Sequence, residues 1–396
     1  MTDSQHDPLR ALVVVDTNVE RDPRVRRQID WLHEAGWIVD SLGVGQKPTP
    51  LVRNHFEMQA MPAWTGARRL QFGAIHAFLP FRLRFWTLRQ SRFTRDVDRF
   101  VRGGEYDLLI FNDIHMLGWL SDRATFPRKT KVAHIHLDLH EWFPADIVAT
   151  SRGAQSLMNS YHRWLRNHIA SPLIDTRSLA ADAVEMYTSE FSIPKPLIVR
   201  NAPPFVDQKP SKVGPGPIRL LHHGVAAWER GLRELIEAMG KVEDRFTLTF
   251  MLVGAPEFID ELKALAAPLG DRITFVPPAP MVTLAQTVNE YDAEVMFYPP
   301  KSVNLEIAFP NKFFEAIQGR LAMVIGPTKS MAEIVRKERN GVITNGWEVS
   351  DLVDAINSLT PENLTEMKKN SDAIAPDLCA EGERTRFFES IGFPLS

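Results

Sequence analysis

The sequence predicts two α/β domains, each built on a doubly wound, mainly parallel β-sheet with Rossmann-like order. Three observations carry this prediction. The length of 396 residues exceeds one ordinary core, apolar strands alternate with amphipathic helices, and the alternation restarts after residues 207–217. That segment is rich in Pro, Gly and Lys with almost nothing to bury, which is typical of a linker. We therefore predict domains at 1–206 and 218–375, and a C-terminal helix within 376–396 that is a candidate to pack back on the first domain.

The first half opens with a strand, helix, strand unit. Residues 11–16 form the predicted first strand, Asp22 suits a helix N-cap and Pro23 suits the first helical position. The segment WIVDSLGV continues as a strand. Further strands are expected at 107–113, 131–139 and 172–176. Strands separated by helices predict a parallel sheet covered on both faces.

The second half repeats this order, with strands expected at 218–224, 247–254, 273–278, 293–300 and 321–327. Two such domains joined by a linker predict a cleft. Because ligands of these sheets bind beyond the carboxyl ends of the strands, we look for functional residues in the loops that follow them.

The composition indicates the cellular compartment of the protein. The single cysteine, Cys379, excludes an internal disulfide and a cysteine-based zinc cluster. No stretch approaches the ~18 uncharged apolar residues of a membrane span, and MTDSQHDPLR lacks the apolar core of a secretory signal. We expect a cytoplasmic protein.

The segment AFPNKFFEAIQGRLAMVIGP, residues 308–327, is the strongest constellation. Pro310 starts a predicted helix and Gly319 ends it at the C′ position. Glu315 lies one turn after Asn311, and its carboxylate suits vicinal hydroxyls such as those of a ribose, while Lys312 suits a phosphate. The periodicity alone also fits a solvated surface helix.

A second constellation is HHGVAAWERGLRELIEAM, residues 222–239. A strand ends at Gly224 and a helix begins near Gly231, so free backbone N–H groups make an anion site in outline. The Arg230 guanidinium is placed to bind a diphosphate in a bidentate manner. The alternative is that Arg230 only pairs with Glu229 or Glu234 on its own segment.

Histidines cluster in HIHLDLH. His134 and His136 share a strand face and His140 follows the strand's end, a set that also admits a zinc site. Because a buried parallel strand keeps His134 and His136 inside the domain, we favour His140 as a residue of the cleft and expect no metal. Asp96 and Asp98 form a D-x-D pattern, but within a polar helical run.

Arginine is concentrated in residues 66–103, which hold nine arginines and no lysine. Phe and Trp are mixed among them, which suits an anionic membrane surface. The alternatives are an arginine-decorated helix pair over the sheet, or a site for an anionic soluble ligand.

These motifs together resemble the retaining glycosyltransferases of the GT-B fold, family 4 (glycosyl transferases group 1). Residues 218–239 resemble the family's strand, glycine loop and Arg-Gly-Leu helix. ITFVPPAP resembles the loop that faces the donor base, and PNKFFEAIQG resembles the donor signature. FNDIH, DLHEWFP and IVRNAPP are similar to segments of the N-terminal half, so the resemblance spans almost the whole chain.

The resemblance implies transfer of a hexosyl group, with retention of configuration, from a nucleoside-diphosphate sugar to a hydroxyl acceptor. UDP is the first choice of base and GDP the second. The acceptor is a glycan, glycolipid or lipid-linked molecule of polysaccharide or glycolipid biosynthesis, bound by the N-terminal domain, while the C-terminal domain binds the donor. No cofactor and no essential metal are implied, no nucleic-acid partner is expected, and residues 66–103 are candidates for peripheral contact with the inner face of the cell membrane.

Residue by residue, the resemblance makes Glu315 the ribose carboxylate, Arg230 and Lys312 the diphosphate partners and His140 the histidine near the transferred sugar. These four are the candidate catalytic residues. Candidates for the donor site besides these are Gly224, Pro278, Asn304, Glu306 and Asn311, and candidates for the acceptor side are Asp16, Asp113, His115, Asp138 and His140. Buried polar anchoring is the alternative for the acceptor-side carboxylates.

Two positions depart from the family pattern. The glutamate usually found eight positions before Glu315 is replaced by Ile307, with Glu306 one residue off and Asn304 as a rival. A basic residue usually follows the glycine of the first loop, but Val225 stands here. These departures keep open a noncatalytic sugar-nucleotide-binding scaffold. A second alternative is a nucleotide-sugar epimerase, which can share the same two-domain fold.

Overall fold

The computed structural model describes residues 7–60, 66–89, 92, 104–121, 131–146, 152–307, 309–393 and 395. The chain divides into two compact units, Met1–Val199 with Arg386–Ser396, and Arg200–Thr385. Each unit contains one parallel sheet flanked by helices. This confirms the predicted class of two doubly wound α/β domains.

The sheet of the first unit has seven strands in the order β3-β2-β1-β4-β5-β6-β7. They are β1 Arg10–Asn18, β2 Ile38–Val44, β3 Val52–Met58, β4 Glu105–Asn112, β5 Lys131–Leu139, β6 Thr176–Leu179 and β7 Leu197–Ile198. The helices are α1 Pro23–Glu34, α2 Ala67–Phe78, α3 Phe81–Arg89, α4 Arg152–Asn167 and α5 Val184–Phe191. Residues 11–15 of central β1 are buried, as its apolar run predicts.

Helix α1 begins as its sequence predicts. The Asp22 carboxylate accepts hydrogen bonds from the backbone N–H groups of Arg24 and Val25 at 3.1 and 3.2 Å, and Pro23 occupies the first turn. Val25 and the other apolar residues at helical spacing are fully buried against the sheet. The cap and the apolar face together fix the direction of the first crossover.

The sheet of the second unit has six strands in the order β10-β9-β8-β11-β12-β13. They are β8 Ile218–Val225, β9 Phe246–Val253, β10 Ile273–Val276, β11 Ala293–Met296, β12 Ala322–Ile325 and β13 Gly341–Ile343. The helices are α6 Leu232–Met239, α7 Pro256–Ala266, α8 Leu284–Val288, α9 Val303–Glu306, α10 Asn311–Gln318, α11 Lys329–Glu338, α12 Val349–Asn357, α13 Pro361–Ile374 and α14 Ala380–Ser390.

Residues 207–217, expected to be a linker, form no helix or strand but bind along the second unit. The Gln208 side chain donates to the carbonyl oxygens of Ala285 and Gln318 at 3.0 and 2.7 Å. The boundary between the two compact units lies earlier in the chain, between Val199 and Arg200. Residues 386–396 belong to the first unit, where the Phe387 ring packs on Trp31 with centroids 5.4 Å apart.

Two local predictions were wrong. Residues 172–175 form a turn rather than a strand, because the Arg177 guanidinium binds the carbonyl oxygens of residues 169, 171 and 174 and holds the chain back until Thr176. Gly319 is not the left-handed C′ residue of α10, since its φ is −73° and Arg320 takes the positive φ of 61°. A Cβ at Gly319 would lie 2.3 Å from a Val288 methyl, so packing rather than φ requires glycine there.

Candidate functional site

A pocket of about 380 Å³ lies in the second unit, where β8 and β9 end and α10 begins. Its lining contains six of the eight residues expected at a donor site: Gly224, Arg230, Pro278, Asn311, Lys312 and Glu315. Met251, Val253, Met281 and Leu284 give it an apolar wall. The pocket therefore combines cations, one carboxylate and an apolar surface at the strand ends, as the topology predicts.

Helix α10 presents Lys312 and Glu315 to this pocket while its opposite face is anchored in the core. Phe313, Phe314 and Ile317 are fully buried. Lys312 is only 4% exposed, and the Glu315 side chain only 13%. These exposures exclude the alternative of a solvated surface helix.

Lys312 is held against a neutral histidine. Its Nζ lies 3.1 Å from Nε2 of His222, whose Nδ1 lies 2.7 Å from the carbonyl oxygen of Val295. The Nδ1–H donates to that carbonyl, so Nε2 is left as an acceptor for the lysine. Burial lowers the pKa of Lys312 to about 7, although Glu294 attracts the charge.

Arg230 approaches the same place from the loop before α6. Its Cζ lies 5.4 Å from the centre of the Tyr298 ring, and Lys312 Nζ lies 5.7 Å from that centre. Two cationic side chains thus lie near one aromatic ring at the carboxyl ends of β8 and β11. That arrangement suits an anion with several oxygens.

Two glycines make this convergence sterically feasible. Gly224 has φ 103°, and a Cβ there would lie 2.9 Å from Cε of Lys312. Gly231 has φ 63°, and a Cβ there would lie 2.1 Å from the carbonyl oxygen of Phe297. Gly231 also caps α6 without a side chain, so the first-turn N–H groups of that helix keep no side-chain acceptor.

Glu315 is bound by a histidine that the sequence motifs did not single out. Nε2 of His223 lies 3.0 Å from Oε2 of Glu315, and Nδ1 lies 2.9 Å from Oε2 of Glu294. Burial opposes the charge on this ring, but Glu294 and Glu315 together raise the pKa of His223 to about 9. The ring is therefore an imidazolium at neutral pH.

Asn304 and Glu306, the rival candidates for the missing glutamate, do not line the pocket. Glu306 ends the four-residue helix α9 and is exposed. Ile307 is buried, and its carbonyl oxygen accepts a hydrogen bond from Ser330 at 2.9 Å. This anchoring fixes the side chain of Ile307 inward and leaves its neighbour Glu306 in solvent.

In the first unit, His140 lies among polar side chains just beyond the end of β5. Its Nδ1 is 3.4 Å from Asp113, and its Nε2 is 3.1 Å from Asn112 and 3.5 Å from Asp138. Burial opposes protonation of the ring, but Asp113 and then Asp138 raise the pKa of His140 to about 9. The backbone at Asp113 takes a positive φ of 62°, and its carboxylate also accepts from the His140 N–H at 2.8 Å.

Asp138, expected on the acceptor side, is fully buried. It receives two hydrogen bonds of 2.6 Å from Arg24, one of 2.6 Å from Gln28 and one of 2.5 Å from Ser178. Burial works against its ionisation, yet the Arg24 guanidinium holds the pKa of Asp138 well below its usual range. Its geometry is that of a buried anchor beneath His140, the alternative weighed from the sequence.

The other acceptor-side candidates, Asp16 and His115, contact further residues of the first unit. Asp16 is paired with Arg92, which also donates to the carbonyl oxygen of Gln59 at 2.6 Å. His115 stacks edge-on against Phe143, with ring centres 5.9 Å apart.

His134 and His136 make hydrogen bonds with hydroxyl groups. Both rings lie within 2.9 Å of the Thr176 hydroxyl, and His136 also lies 2.9 Å from that of Ser178. Within the described ranges, no group of three or more His, Cys, Asp or Glu residues is arranged to hold a metal ion. Asp96 and Asp98 lie outside the described residues.

The arginine-rich segment 66–103 is described only at 66–89 and at residue 92. There, α2 and α3 expose Phe78 by 84% and Leu83 by 52%. Arg84 instead turns inward, with its Cζ 5.0 Å from the Phe81 ring centre. No helix in the described part of the chain has the length and apolarity to cross a membrane.

Arg24, Gln28, His223 and Glu294 are the polar residues that the motifs missed. The available signal was charge at positions expected to be buried: Glu294 lies inside a strand, and Arg24 lies on the first turn of α1. A charged residue in a buried strand requires a partner. The sequence does not identify that partner, because the partner depends on which strands are neighbours in the sheet.

Comparison with known proteins agrees with this geometry. The model of the family "Glycosyl transferases group 1" matches residues 217–361. No curated protein sequence matches the chain. Among solved structures, sucrose-phosphate synthase from Thermosynechococcus elongatus is 16% identical with a TM-score of 0.67, covering 96% of this chain and 98% of that one.

Two further solved structures are similar over nearly their whole length. An α,α-trehalose-phosphate synthase (UDP-forming) from Burkholderia vietnamiensis is 12% identical with a TM-score of 0.62, covering 97% of this chain and 99% of that one. HepE from Anabaena, in complex with UDP and glucose, is 14% identical with a TM-score of 0.63, covering 97% and 99%. Residues 217–361 thus match the model of the group 1 glycosyltransferases, and the whole chain has the GT-B fold.

Proposed function

We propose that this chain, whose residues 217–361 match the glycosyl transferases group 1 family, is a family 4 enzyme that moves a hexosyl group from a nucleoside-diphosphate sugar to a hydroxyl acceptor with retention of configuration. UDP is the proposed base because two similar structures are named for UDP, one UDP-forming and one bound to UDP and glucose. GDP is the second choice.

One observation carries the proposal: Lys312, Arg230 and Glu315 converge on one pocket with an apolar wall. The two cations suit a diphosphate, and the carboxylate suits the vicinal hydroxyls of a ribose. Pro278 and Met281 offer a surface on which a flat base can lie. The pocket therefore has one matching group for each part of a nucleoside diphosphate.

The same residues support a reaction without a metal. As the bond between the anomeric carbon and the phosphate oxygen breaks, Lys312 and Arg230 stabilise the charge that develops on the departing diphosphate. The acceptor oxygen bonds to the anomeric carbon on the face that the phosphate leaves, and its proton passes to that phosphate. Loss of all activity on chelation, restored by a divalent ion, would overturn this metal-free route.

His140 is proposed to act on the sugar side of the reaction. Held as an imidazolium by Asp113 and Asp138, it is a hydrogen-bond donor rather than a base at neutral pH. Such a donor stabilises a sugar hydroxyl or an oxyanion. His140→Asn is expected to reduce kcat far more than it weakens binding of the nucleotide alone, and an unchanged kcat would contradict the role.

The first test measures thermal shifts with UDP-, GDP-, ADP- and dTDP-sugars on the wild type and on Glu315→Gln. At about 100 times the dissociation constant, binding adds about 2.7 kcal/mol of stability and raises Tm. We expect one nucleotide to stabilise the wild type and to lose this effect in Glu315→Gln. Glu333→Gln, a change of an exposed glutamate on α11, is the matched control. No shift with any nucleotide would refute the proposal.

Turnover assays then separate the alternatives. Product formation only in the presence of a hydroxyl acceptor supports transfer. Release of a free epimerised sugar without acceptor would identify an epimerase, and binding without turnover across a broad acceptor set would identify a scaffold. The two departures from the family pattern, Ile307 and Val225, keep the last outcome worth testing.

We further propose that α2 and α3 place the enzyme at an anionic membrane surface, where a lipid-linked acceptor resides. Support comes from the exposed side chains of Phe78 and Leu83 beside the exposed Arg82. Phe78→Glu is expected to reduce co-sedimentation with anionic liposomes, with neutral liposomes as the control. Equal binding of both proteins, or no binding by the wild type, would remove the membrane from the proposal.

A further inference from the structure

His223 lies between two carboxylates that come from different elements. Glu294 is on β11 and is fully buried, while Glu315 is on α10 at the wall of the pocket. The Glu294 carboxylate accepts from the ring Nδ1 at 2.9 Å and from the His223 backbone N–H at 3.1 Å. These two hydrogen bonds, both accepted by one buried carboxylate, fix the backbone and the ring plane of His223.

The ring's other nitrogen can then point in one direction only. Nε2 lies 3.0 Å from Oε2 of Glu315, and the His223 side chain is only 3% exposed. A carboxylate accepts hydrogen bonds, so two carboxylates on one imidazole require both nitrogens to carry a proton. The geometry therefore calls for an imidazolium, and the raised pKa agrees with it.

Charge explains why Glu315 needs this partner. Without a cation between them, the Glu294 and Glu315 carboxylates would repel each other in a buried place. The other charged groups nearby are Lys312 on α10 and Arg230 before α6, and both face the pocket. His222, the remaining ring, accepts from Lys312 and stays neutral.

We propose that His223 is a positioning residue that holds the Glu315 carboxylate aimed at the ribose hydroxyls of the nucleotide donor. This inference rests on the proposed function, because it assigns the ribose to Glu315. It adds a chain of hydrogen bonds, Glu294 to His223 to Glu315, by which a side chain that is only 3% exposed aims the carboxylate that recognises the sugar of the nucleotide.

Two substitutions test the two ring nitrogens of His223 separately. His223→Asn places an amide N–H near the position of Nδ1, so it keeps a donor to Glu294 and loses the donor to Glu315. His223→Gln reaches the position of Nε2 and keeps the donor to Glu315. His33→Asn, at an exposed histidine of α1, is the control.

The readout is the preference for ribose, measured by calorimetry in the full chain as the ratio of the dissociation constants of 2′-deoxy-UDP and UDP. The corresponding GDP pair is used if the nucleotide panel selects GDP. We expect His223→Asn to lower this ratio about tenfold, the effect of one hydrogen bond to a charged group. His223→Gln should lower it by about threefold or less, and His33→Asn should not change it. Affinity for inorganic pyrophosphate, which contacts only the cations, should stay within about twofold in every variant.

Each contrary result is informative. An equal loss of affinity for UDP, 2′-deoxy-UDP and pyrophosphate in His223→Asn would mean that the ring only supports the pocket, and would overturn the inference. So would a wild type that binds both nucleotides equally, or a His223→Asn variant that keeps the ribose preference. A wild type that binds no nucleotide would instead refute the proposed function. Melting curves test whether both variants fold. If His223→Asn does not fold, the test uses His223→Gln instead. A ribose preference of His223→Gln that is as low as that of Glu315→Gln would then also overturn the inference.

Discussion

Replacing Lys312 by Met is expected to stabilise the ligand-free protein while removing a group that binds the diphosphate. Lys312 is buried beside a neutral histidine, and its pKa falls from 10.5 to about 7. A lysine with a depressed pKa binds fewer protons in the folded state than in the unfolded one between these values. The free energy of unfolding therefore rises with pH through that window and is lowest below pH 7.

The magnitude follows from the gap between 10.5 and about 7, at 1.36 kcal/mol for each pH unit. Burying Lys312 costs up to about 4.7 kcal/mol at pH 6, where the folded protein keeps the ammonium, and about 2 kcal/mol at pH 9, where folding releases its proton. Methionine has a similar shape and carries no proton. The stability lead of Lys312→Met over the wild type should therefore shrink by about 2–3 kcal/mol from pH 6 to pH 9.

Thermal unfolding of both proteins at pH 6, 7, 8 and 9 measures this lead. For a unit of this size the change corresponds to roughly 4–12 °C in the difference between the two Tm values. Lys369→Met, at an exposed lysine of α13, is the control and should show no pH-dependent difference. A Lys312→Met lead that is constant with pH, or a variant that is less stable at pH 6, would refute the reasoning.

Three further predictions concern groups outside that lysine. Arg24→Met should destabilise the chain by about 3–5 kcal/mol in chemical unfolding, because it leaves the Asp138 carboxylate buried without its guanidinium; a loss under 1 kcal/mol would contradict this. Gly231→Ala should lower Tm and abolish nucleotide binding, since its Cβ would lie 2.1 Å from the Phe297 carbonyl oxygen at a positive φ; a variant with wild-type Tm would show that the loop can move. His140 has a raised pKa of about 9, so the stability lead of the wild type over His140→Asn should be greatest below pH 6.5 and disappear as the pH rises through 9; a lead that grows with pH would reverse the assignment of charge.

The order of strands and helices was predictable because it depends on local patterns. Apolar runs such as β1 and β8 are long enough to identify buried strands, and Asp22 with Pro23 marks the start of a helix regardless of what packs on it. Among the strands at the sheet edges, β7 and β13, with 2 and 3 residues, are too short for that signal, and β3 is mostly polar. They are strands because a neighbour supplies their hydrogen bonds.

The end of α10 shows the same division at the level of one residue. A glycine after a helical run predicts a left-handed cap, but Arg320 takes that conformation instead. Its guanidinium is buried and bonded to Asp372 at 2.7 Å and to the Val206 carbonyl oxygen at 2.7 Å. These distant partners stabilise a positive φ that local preference disfavours.

The candidate site divides in the same way. Lys312 and Glu315 were identified from a local helical pattern, and that pattern placed them on the pocket wall as expected. The pKa of Lys312 and the partner of Glu315 could not be predicted from that pattern. Burial lowers the pKa of the lysine, and His223 forms a hydrogen bond with the carboxylate. The sequence by itself determined which residues one turn of helix presents together. Only the tertiary structure decided what surrounds them, because β8 brings His222 and His223 within 3.1 Å of Lys312 and Glu315, and neighbouring β11 places Glu294 2.9 Å from His223, where water no longer screens the interaction.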